Sequence, residues 1–110
     1  MVAYYFMLRI HSGFNAMPSF VYILASKKNG TLYTGVTSDL GNRVWEHKDE
    51  VFKGFTSKYG VKRLVWHREY ENIVDAIADE KRIKKWRRAW KIRLIEDVNP
   101  DWNELYRDLW

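Results

Sequence analysis

The 110-residue sequence contains no cysteine. This absence excludes disulfide bonds, thiolate metal sites and thiol-based catalysis, and it suits the cytoplasm, where we expect the protein to reside. The sequence also lacks an apolar run of the roughly 18 residues that a membrane-spanning helix requires, so no membrane association is expected. It has no internal repeat, low-complexity tract or linker. A chain of this length can bury one hydrophobic core, which predicts a single domain.

Residues 1–16 contain a short apolar stretch, but the first basic residue, Arg9, follows that stretch. A secretory signal carries its positive charge before the apolar stretch, so this segment does not read as one. We expect residues 1–16 to form a flexible extension, as termini without anchoring contacts often do. The single domain is then expected over residues 17–110.

Aromatic residues make up 16% of the chain, and the net charge is +5 with a pI near 9.5. A basic protein favours an anionic partner such as nucleic acid. Lysine and arginine are densest over residues 81–93, where no acidic residue occurs. A solvated helix face explains part of this charge. The residues predicted to contact nucleic acid are Lys53, Lys58, Lys81, Lys84, Lys85, Arg87 and Arg88.

The order of the predicted elements indicates an α+β fold. Residues 19–26 and 31–37 are rich in aromatic and β-branched residues, and they flank Asn29-Gly30, the signal of a β-hairpin. Ser38 or Asp39 caps a predicted helix over residues 40–51, a loop follows over residues 52–60, and residues 63–70 form a third strand. We therefore predict a small three-stranded, mostly antiparallel sheet flanked by helices, in the order β-β-α-β-α-α.

The last third of the chain is predicted to be helical. Asn72 caps a run that reaches about residue 97 and that allows a break near Arg87. Trp86 and Trp90 fall on the apolar side of this run, which predicts that both pack in the core. Residues 101–110 are expected to add a short helical turn that packs Trp102 or one of the nearby leucines.

Three groups of polar side chains are candidates for chemistry. Tyr22 and Tyr33 lie on partner strands, where alternation lets both phenols reach one face of the sheet. Arg43 and His47 are four residues apart and therefore share a helix face. Glu80 stands among basic and apolar residues in the next predicted helix.

Each group also has a simple structural interpretation. Tyrosines on a hairpin commonly pack against each other, the Arg43–His47 pair can be solvated, and Glu80 can pair with Lys84 one turn later. In the functional interpretation, a guanidinium stabilises charge on phosphate oxygens, an imidazole hydrogen-bonds or moves a proton, and a carboxylate binds Mg²⁺. A tyrosine needs nearby cations to act as a base, because its free pKa is about 10.

The order and spacing of these residues resemble the GIY-YIG nuclease family, particularly its small single-domain members related to the nuclease domain of the bacterial excision-repair incision protein. The resemblance spans about residues 18–109. Phe20-Val21-Tyr22 stands at the first triplet of the family, and Tyr33-Thr34-Gly35 stands at the second. Residues 39–43 with His47 are similar to the family's first helix, and Glu80 is similar to its metal-binding glutamate. Residues 86–102, which end in Asn99-Pro100-Asp101-Trp102, resemble the closing signature of the small members.

The resemblance implies an endonuclease that hydrolyses phosphodiester bonds in DNA, with structure-specific cleavage in repair or recombination as its setting. It implies that Glu80 alone supplies the carboxylate for Mg²⁺ or Mn²⁺, and it implies no small-molecule cofactor. The resemblance further suggests that Tyr33 rather than Tyr22 accepts a proton from the attacking water, and that Arg43 stabilises the transition state. It also implies that His47 assists and that Asn99 borders the active site. The implied catalytic set is thus Tyr22, Tyr33, Arg43, His47, Glu80 and Asn99.

The sequence departs from the family pattern at three positions. Phe20 replaces the first glycine and Thr34 replaces the isoleucine of the second triplet, both of which are structural positions. Val36 stands where some relatives have a lysine, so a cation used there is absent or comes from elsewhere. Two other functions fit the charge: a non-catalytic nucleic-acid-binding module with the same fold, and a basic structural protein that docks on RNA.

Overall fold

A three-stranded antiparallel sheet forms the centre of the fold. The computed structural model describes residues 18–110, so the expected extension over residues 1–16 lies outside the described residues. The strands are β1 (Ser19–Ala25), β2 (Leu32–Thr37) and β3 (Arg63–Tyr70), in the order β2-β1-β3. The α+β fold with a small antiparallel sheet is therefore confirmed.

The β1–β2 hairpin brings the two tyrosines to one face. Asn29 adopts a φ of 60° in the turn, a conformation that asparagine tolerates better than most residues. The register pairs Tyr22 with Gly35 and Leu24 with Tyr33. Because side chains alternate along a strand, Tyr22 and Tyr33 point to the same side of the sheet.

Helices cover both faces of the sheet. Within residues 18–110 they are α1 (Leu40–Lys48), α2 (Phe55–Tyr59), α3 (Ile73–Lys84) and α4 (Arg88–Val98), followed by a 3₁₀ turn (Tyr106–Leu109). Asp39 caps α1 by accepting a hydrogen bond from the backbone N–H of Asn42. Asn72 caps α3 in the same way by accepting from Asp75. Both caps agree with the sequence prediction.

Two helix boundaries differ from the prediction, and the break in the last helical run agrees with it. Helix α1 ends at Lys48 because Glu50 adopts a left-handed φ of 53°, which terminates a helix. The predicted loop over residues 52–60 contains α2, which ends at Gly60 with a φ of 64°. The long helical run is broken at residues 85–87, close to the predicted position, because Arg87 has extended backbone angles.

Two hydrophobic clusters hold the helices to the sheet. On one face, side chains of β1 and β3 pack with α3, α4 and the closing segment, and this cluster includes Val21, Ile23, Val65, Ala76, Ile83, Ile95 and Trp102. On the other face, Tyr22 and Leu24 pack with α1, and this cluster includes Leu40, Val44, Val61 and Leu64. Tyr22 therefore belongs to the core as well as to the candidate site.

Trp90 is less buried than the sequence predicts. Trp86 is partly buried and packs against the core, but Trp90 is 48% exposed. Its ring lies edge-on to Trp86 at 6.1 Å, and the guanidinium of Arg87 lies 4.9 Å from its centre. The prediction that Trp90 packs in the core is wrong because the break at residues 85–87 interrupts the helical phase between α3 and α4.

The segment after α4 is attached to the edge of β3. The backbone N–H of Leu64 donates to the Glu104 carboxylate at 2.9 Å, and the N–H of Leu105 donates to the Leu64 carbonyl at 2.9 Å. Glu104 also pairs with Lys48 of α1. Trp102 is fully buried, in agreement with its predicted packing. In the part of the chain that the structure describes, no helix is long and apolar enough to cross a bilayer.

Candidate active site

A chain of hydrogen bonds links Tyr22, His47 and Thr56. The Tyr22 hydroxyl lies 2.9 Å from Nε2 of His47, and Nδ1 of the same ring lies 3.0 Å from Oγ1 of Thr56. All three residues are buried. A neutral imidazole donates through one nitrogen and accepts through the other, so both ring nitrogens are satisfied. This chain fixes the orientation of the Tyr22 phenol.

Gly35 makes room for the same phenol. A Cβ atom built at Gly35 would lie 2.4 Å from both Cζ and the hydroxyl oxygen of Tyr22. Real Cβ atoms do not approach heavy atoms this closely, so the ring crosses β2 only because position 35 has no side chain. The glycine of the second triplet thus has a direct packing role.

Tyr33 lies beside this chain but is only partly buried. Its ring centre is 6.3 Å from that of Tyr22 and 5.4 Å from that of His47. On its other side it meets Phe55 of α2 at 6.3 Å. The Tyr33 phenol is therefore the more accessible of the two.

Arg43 connects α1 to Tyr22. Its guanidinium forms an ion pair with Glu46 at 3.1 Å and lies 5.8 Å from the centre of the Phe52 ring. Burial lowers the pKa of Arg43, but the contacts with Glu46 and Tyr22 outweigh this effect and raise it. Arg43 therefore keeps its positive charge next to the Tyr22 phenol.

Glu80 and Lys84 approach from α3, which packs against β1 and β2. Glu80 is only 8% exposed, and its carboxylate is paired with the ammonium of Lys84 at 2.8 Å. The same ammonium lies 5.9 Å from the centre of the Tyr33 ring. Lys84 thus joins the carboxylate of the site to its accessible tyrosine.

The donor set suits a hard cation with few protein ligands. Among residues 18–110, no group of three or more histidine and carboxylate side chains could hold a metal ion. Mg²⁺ commonly takes one or two carboxylates and keeps several waters. The Glu80 carboxylate is buried and close enough for its charge to raise the pKa of Tyr22, and a single such carboxylate fits that requirement.

The electrostatics separate the roles of the buried groups. Burial raises the pKa of Tyr22 above its ordinary value of 10.0, with further contributions from Tyr33 and Glu80 that Arg43 opposes. Burial also lowers the pKa of His47 to about 4, and the positive charge of Arg43 adds to the shift. At neutral pH, Tyr22 is therefore a neutral phenol and His47 a neutral imidazole.

Asn99 lies in a different environment from these residues. Its amide donates to the carbonyls of Val65 and Asn103, each at 3.0 Å, and its carbonyl oxygen accepts from the N–H of Asn103 at 3.0 Å. These contacts hold the turn after α4 against β3, which is separated from β2 by the central strand. The structure thus gives Asn99 a role in holding this turn, and its place at the border of the active site stays a prediction.

The residues predicted to contact nucleic acid fall into two sets. Arg88 donates to the backbone carbonyls of Asn29 and Gly30 at 2.8 and 2.6 Å, so it holds the hairpin turn, and Lys84 is engaged by Glu80. The second set is exposed and forms no ion pair among the described residues. It consists of Lys53, Lys58, Lys81, Lys85 and Arg87.

Sequence reasoning missed two residues of the site. Thr56 and Phe55 fall in a segment that was predicted to be a loop, and each touches a predicted site residue. A threonine between glycines and lysines carries no local signal of such a contact. Only the packing of α2 against α1 and β2 reveals it.

Three comparisons with known proteins agree. Residues 18–93 match the family model described as the GIY-YIG catalytic domain. UPF0213 proteins from the Mu3 and COL strains of Staphylococcus aureus are each 35% identical over 78 residues, which cover 71% of this chain and 94% of the relative. The solution NMR structure of a UPF0213 protein from Bacillus halodurans is similar, with a TM-score of 0.51, 28% identity and coverage of 80% of this chain and 93% of the other. The chain therefore belongs to the GIY-YIG family, as the residues of its sequence suggested.

Proposed function

We propose that this protein is a metal-dependent endonuclease that hydrolyses phosphodiester bonds in DNA. The observation that carries the proposal is the meeting of two tyrosines, an arginine, a histidine and a buried carboxylate around one hairpin. Its members are Tyr22, Tyr33, Arg43, His47 and Glu80. These groups supply the proton acceptor, the positive charge and the metal ligand that phosphodiester hydrolysis needs.

Tyr33 is the better candidate for the general base. Tyr22 is 1% exposed, its hydroxyl is engaged by His47, and burial raises its pKa. Tyr33 is more accessible and has the Lys84 ammonium near its ring. Lys84 thus supplies a cation beside Tyr33, although Val36 stands where some relatives have a lysine.

Arg43 is suited to the charge that develops on the phosphate. Its side chain is about one-third exposed, so a phosphate oxygen can reach it, and Glu46 holds it in place beforehand. A guanidinium can bind two phosphate oxygens at once. His47 is neutral and internally hydrogen-bonded, which favours a role in positioning Tyr22 over proton transfer to the leaving group.

Glu80 would hold the metal ion. When bound there, Mg²⁺ or Mn²⁺ would act as a Lewis acid on the phosphate and lower the pKa of a bound water. The exposed cations on α2 and on the α3–α4 corner would bind the DNA backbone on either side.

A cleavage assay tests the proposal. Purified protein is incubated with Mg²⁺ or Mn²⁺ and labelled single-stranded, nicked, branched or duplex DNA. Glu80→Gln is expected to abolish cleavage, and Tyr33→Phe to slow it by about 10²- to 10⁴-fold, the usual contribution of a general base. Glu71→Gln removes an exposed carboxylate two residues before the start of α3 and serves as the matched control. Cleavage that survives Glu80→Gln would refute the proposed metal ligand.

The pairing of charges within the site gives weight to a second candidate function. Arg43 is paired with Glu46, and Glu80 is paired with Lys84, so each of these charges is already neutralised within the protein. Such a protein could bind DNA through its exposed cations without cutting it. DNA binding that is equal in the wild type and Glu80→Gln, with no cleavage of any substrate, would favour the non-catalytic module.

A further inference from the structure

Three aromatic side chains next to the candidate active site are exposed to solvent. Phe52 is 61% exposed, Phe55 47% and Tyr59 50%, and all three lie within eight consecutive residues. We refer to them as the aromatic platform. Exposed apolar side chains that cluster in this way commonly mark a binding site.

The platform continues directly from the predicted general base. The ring centres of Tyr33 and Phe55 are 6.3 Å apart, and those of Phe55 and Tyr59 are 4.8 Å apart. Phe55 and Tyr59 are four residues apart on α2 and therefore share one face. Phe52 lies under the guanidinium of Arg43 at 5.8 Å. A row of rings thus leads outward from the site.

The platform is held in a defined position. Thr56, between Phe55 and Tyr59, is buried and hydrogen-bonded to His47. Gly60 ends α2 in the left-handed region, and the N–H of Val61 donates to the Thr56 carbonyl at 2.9 Å. The orientation of the exposed rings is therefore coupled to that of the buried histidine.

Positive charge surrounds the rings. Lys53 and Lys58 are exposed, and the ammonium of Lys58 lies 5.3 Å from the centre of the Tyr59 ring. The nearby carboxylate of Glu50 is occupied by Lys62 and the Ser57 hydroxyl. Exposed aromatic faces interleaved with lysines match the chemistry of single-stranded nucleic acid, in which bases stack on rings while cations follow the phosphates.

We infer that the aromatic platform binds an unpaired nucleotide of the DNA strand next to the phosphodiester that is cut. The inference rests on the proposed nuclease function and specifies its substrate. In a duplex both faces of each base are stacked on neighbours, so Phe55 and Tyr59 can engage only a base that is single-stranded or displaced. DNA with an unpaired segment at the cleavage point is thus the preferred substrate.

Binding measurements without metal test the inference separately from catalysis. Fluorescence anisotropy with EDTA compares a labelled oligothymidylate with a duplex of equal length. Phe55→Leu and Tyr59→Leu keep an apolar side chain but remove the π face, and each is expected to weaken single-strand binding by about 5- to 100-fold while leaving duplex binding unchanged. Trp45→Leu, at a residue that is 47% exposed outside the platform, is the matched control and should change neither.

The outcomes distinguish the two proposals. The inference would be overturned if the leucine variants lost equal affinity for single-stranded and duplex DNA, or if neither variant lost affinity for single-stranded DNA. If the platform instead mediates self-association, sedimentation would show oligomers of the wild type and monomers of Phe55→Leu. This result would also overturn the inference. Selective loss of single-strand binding in a protein that cuts no DNA would uphold the platform and refute the nuclease.

Discussion

Substituting Gly35 by alanine tests the geometry of the site most directly. The added Cβ would lie 2.4 Å from two atoms of the Tyr22 phenol and 2.9 Å from a third. The ring cannot move freely, because Tyr22 is buried and its hydroxyl is held by His47, which is held in turn by Thr56. The clash must therefore be relieved by breaking this hydrogen-bonded chain or by separating β1 from β2.

The expected decrease in the free energy of unfolding combines the cost of overpacking with the cost of a lost hydrogen bond. Overpacking a core by one methyl group costs about 1 to 3 kcal/mol. Losing the buried hydrogen bond between Tyr22 and His47 adds about 1 kcal/mol or more, since both polar groups then lack a partner. We therefore expect Gly35→Ala to lower the free energy of unfolding by about 2 to 4 kcal/mol, and to reduce cleavage because the phenol is displaced.

Denaturant unfolding followed by tryptophan fluorescence measures this loss, and two further variants identify its cause. Gly54→Ala adds the same methyl group where no atom lies within 4 Å, and it should change the free energy by less than about 0.5 kcal/mol. In a Tyr22→Leu background, where the ring is gone, the cost of Gly35→Ala should largely disappear. If the cost is as large in that background, or if Gly35→Ala alone costs under about 1 kcal/mol, the packing argument is refuted.

Three other predictions follow from the contacts of the site. His47 has a pKa of about 4 in the folded protein and about 6.5 in the unfolded chain. Its contribution to the free energy of unfolding is therefore fully present above pH 6.5, and up to about 3 kcal/mol of it is lost as the pH drops to 4. A His47→Gln variant whose free energy of unfolding changes equally between pH 7 and 4 would contradict this. Arg88→Gln should lower the melting temperature because it frees the hairpin turn. Arg87→Gln should leave the melting temperature unchanged but weaken DNA binding. If the two variants change melting temperature and DNA binding equally, Arg88 and Arg87 do not have these separate roles. Lys84→Met should slow cleavage because it removes an ammonium from the site, whereas Lys84→Arg should preserve the rate, and an unchanged rate in Lys84→Met would exclude a role for this cation in the reaction.

The fold was largely readable from local signals. The Asn29-Gly30 turn and the two flanking β-branched runs predict the hairpin, and Asn72 predicts the start of α3, because each of these signals acts within a few residues. The same reasoning missed α2. Its five residues are bounded by glycines, and its stability comes from the contact of Thr56 with His47, nine positions away in sequence.

The sequence predicts which residues form the candidate site, but it does not predict most of the contacts between them. Alternation and helical spacing placed Tyr22 with Tyr33 and Arg43 with His47, but no local pattern reveals which strand face meets which helix. Arg88 illustrates the difficulty. In sequence it is one cation in a basic run, and only the path of α4 past the hairpin turn gives it a structural role.

The attachment of residues 104 and 105 to Leu64 has a consequence for the behaviour of shortened forms. These residues satisfy the outward-facing N–H and C=O of Leu64 at the free edge of the sheet. An open strand edge is a template for pairing with another chain, and covering it is a common protection against aggregation. A fragment that stops at residue 98 would keep all five proposed catalytic side chains, yet it would uncover this edge and the cavity filled by Trp102. The last twelve residues thus protect this edge of the sheet, and a fragment that stops at residue 98 is expected to precipitate before its activity can be judged.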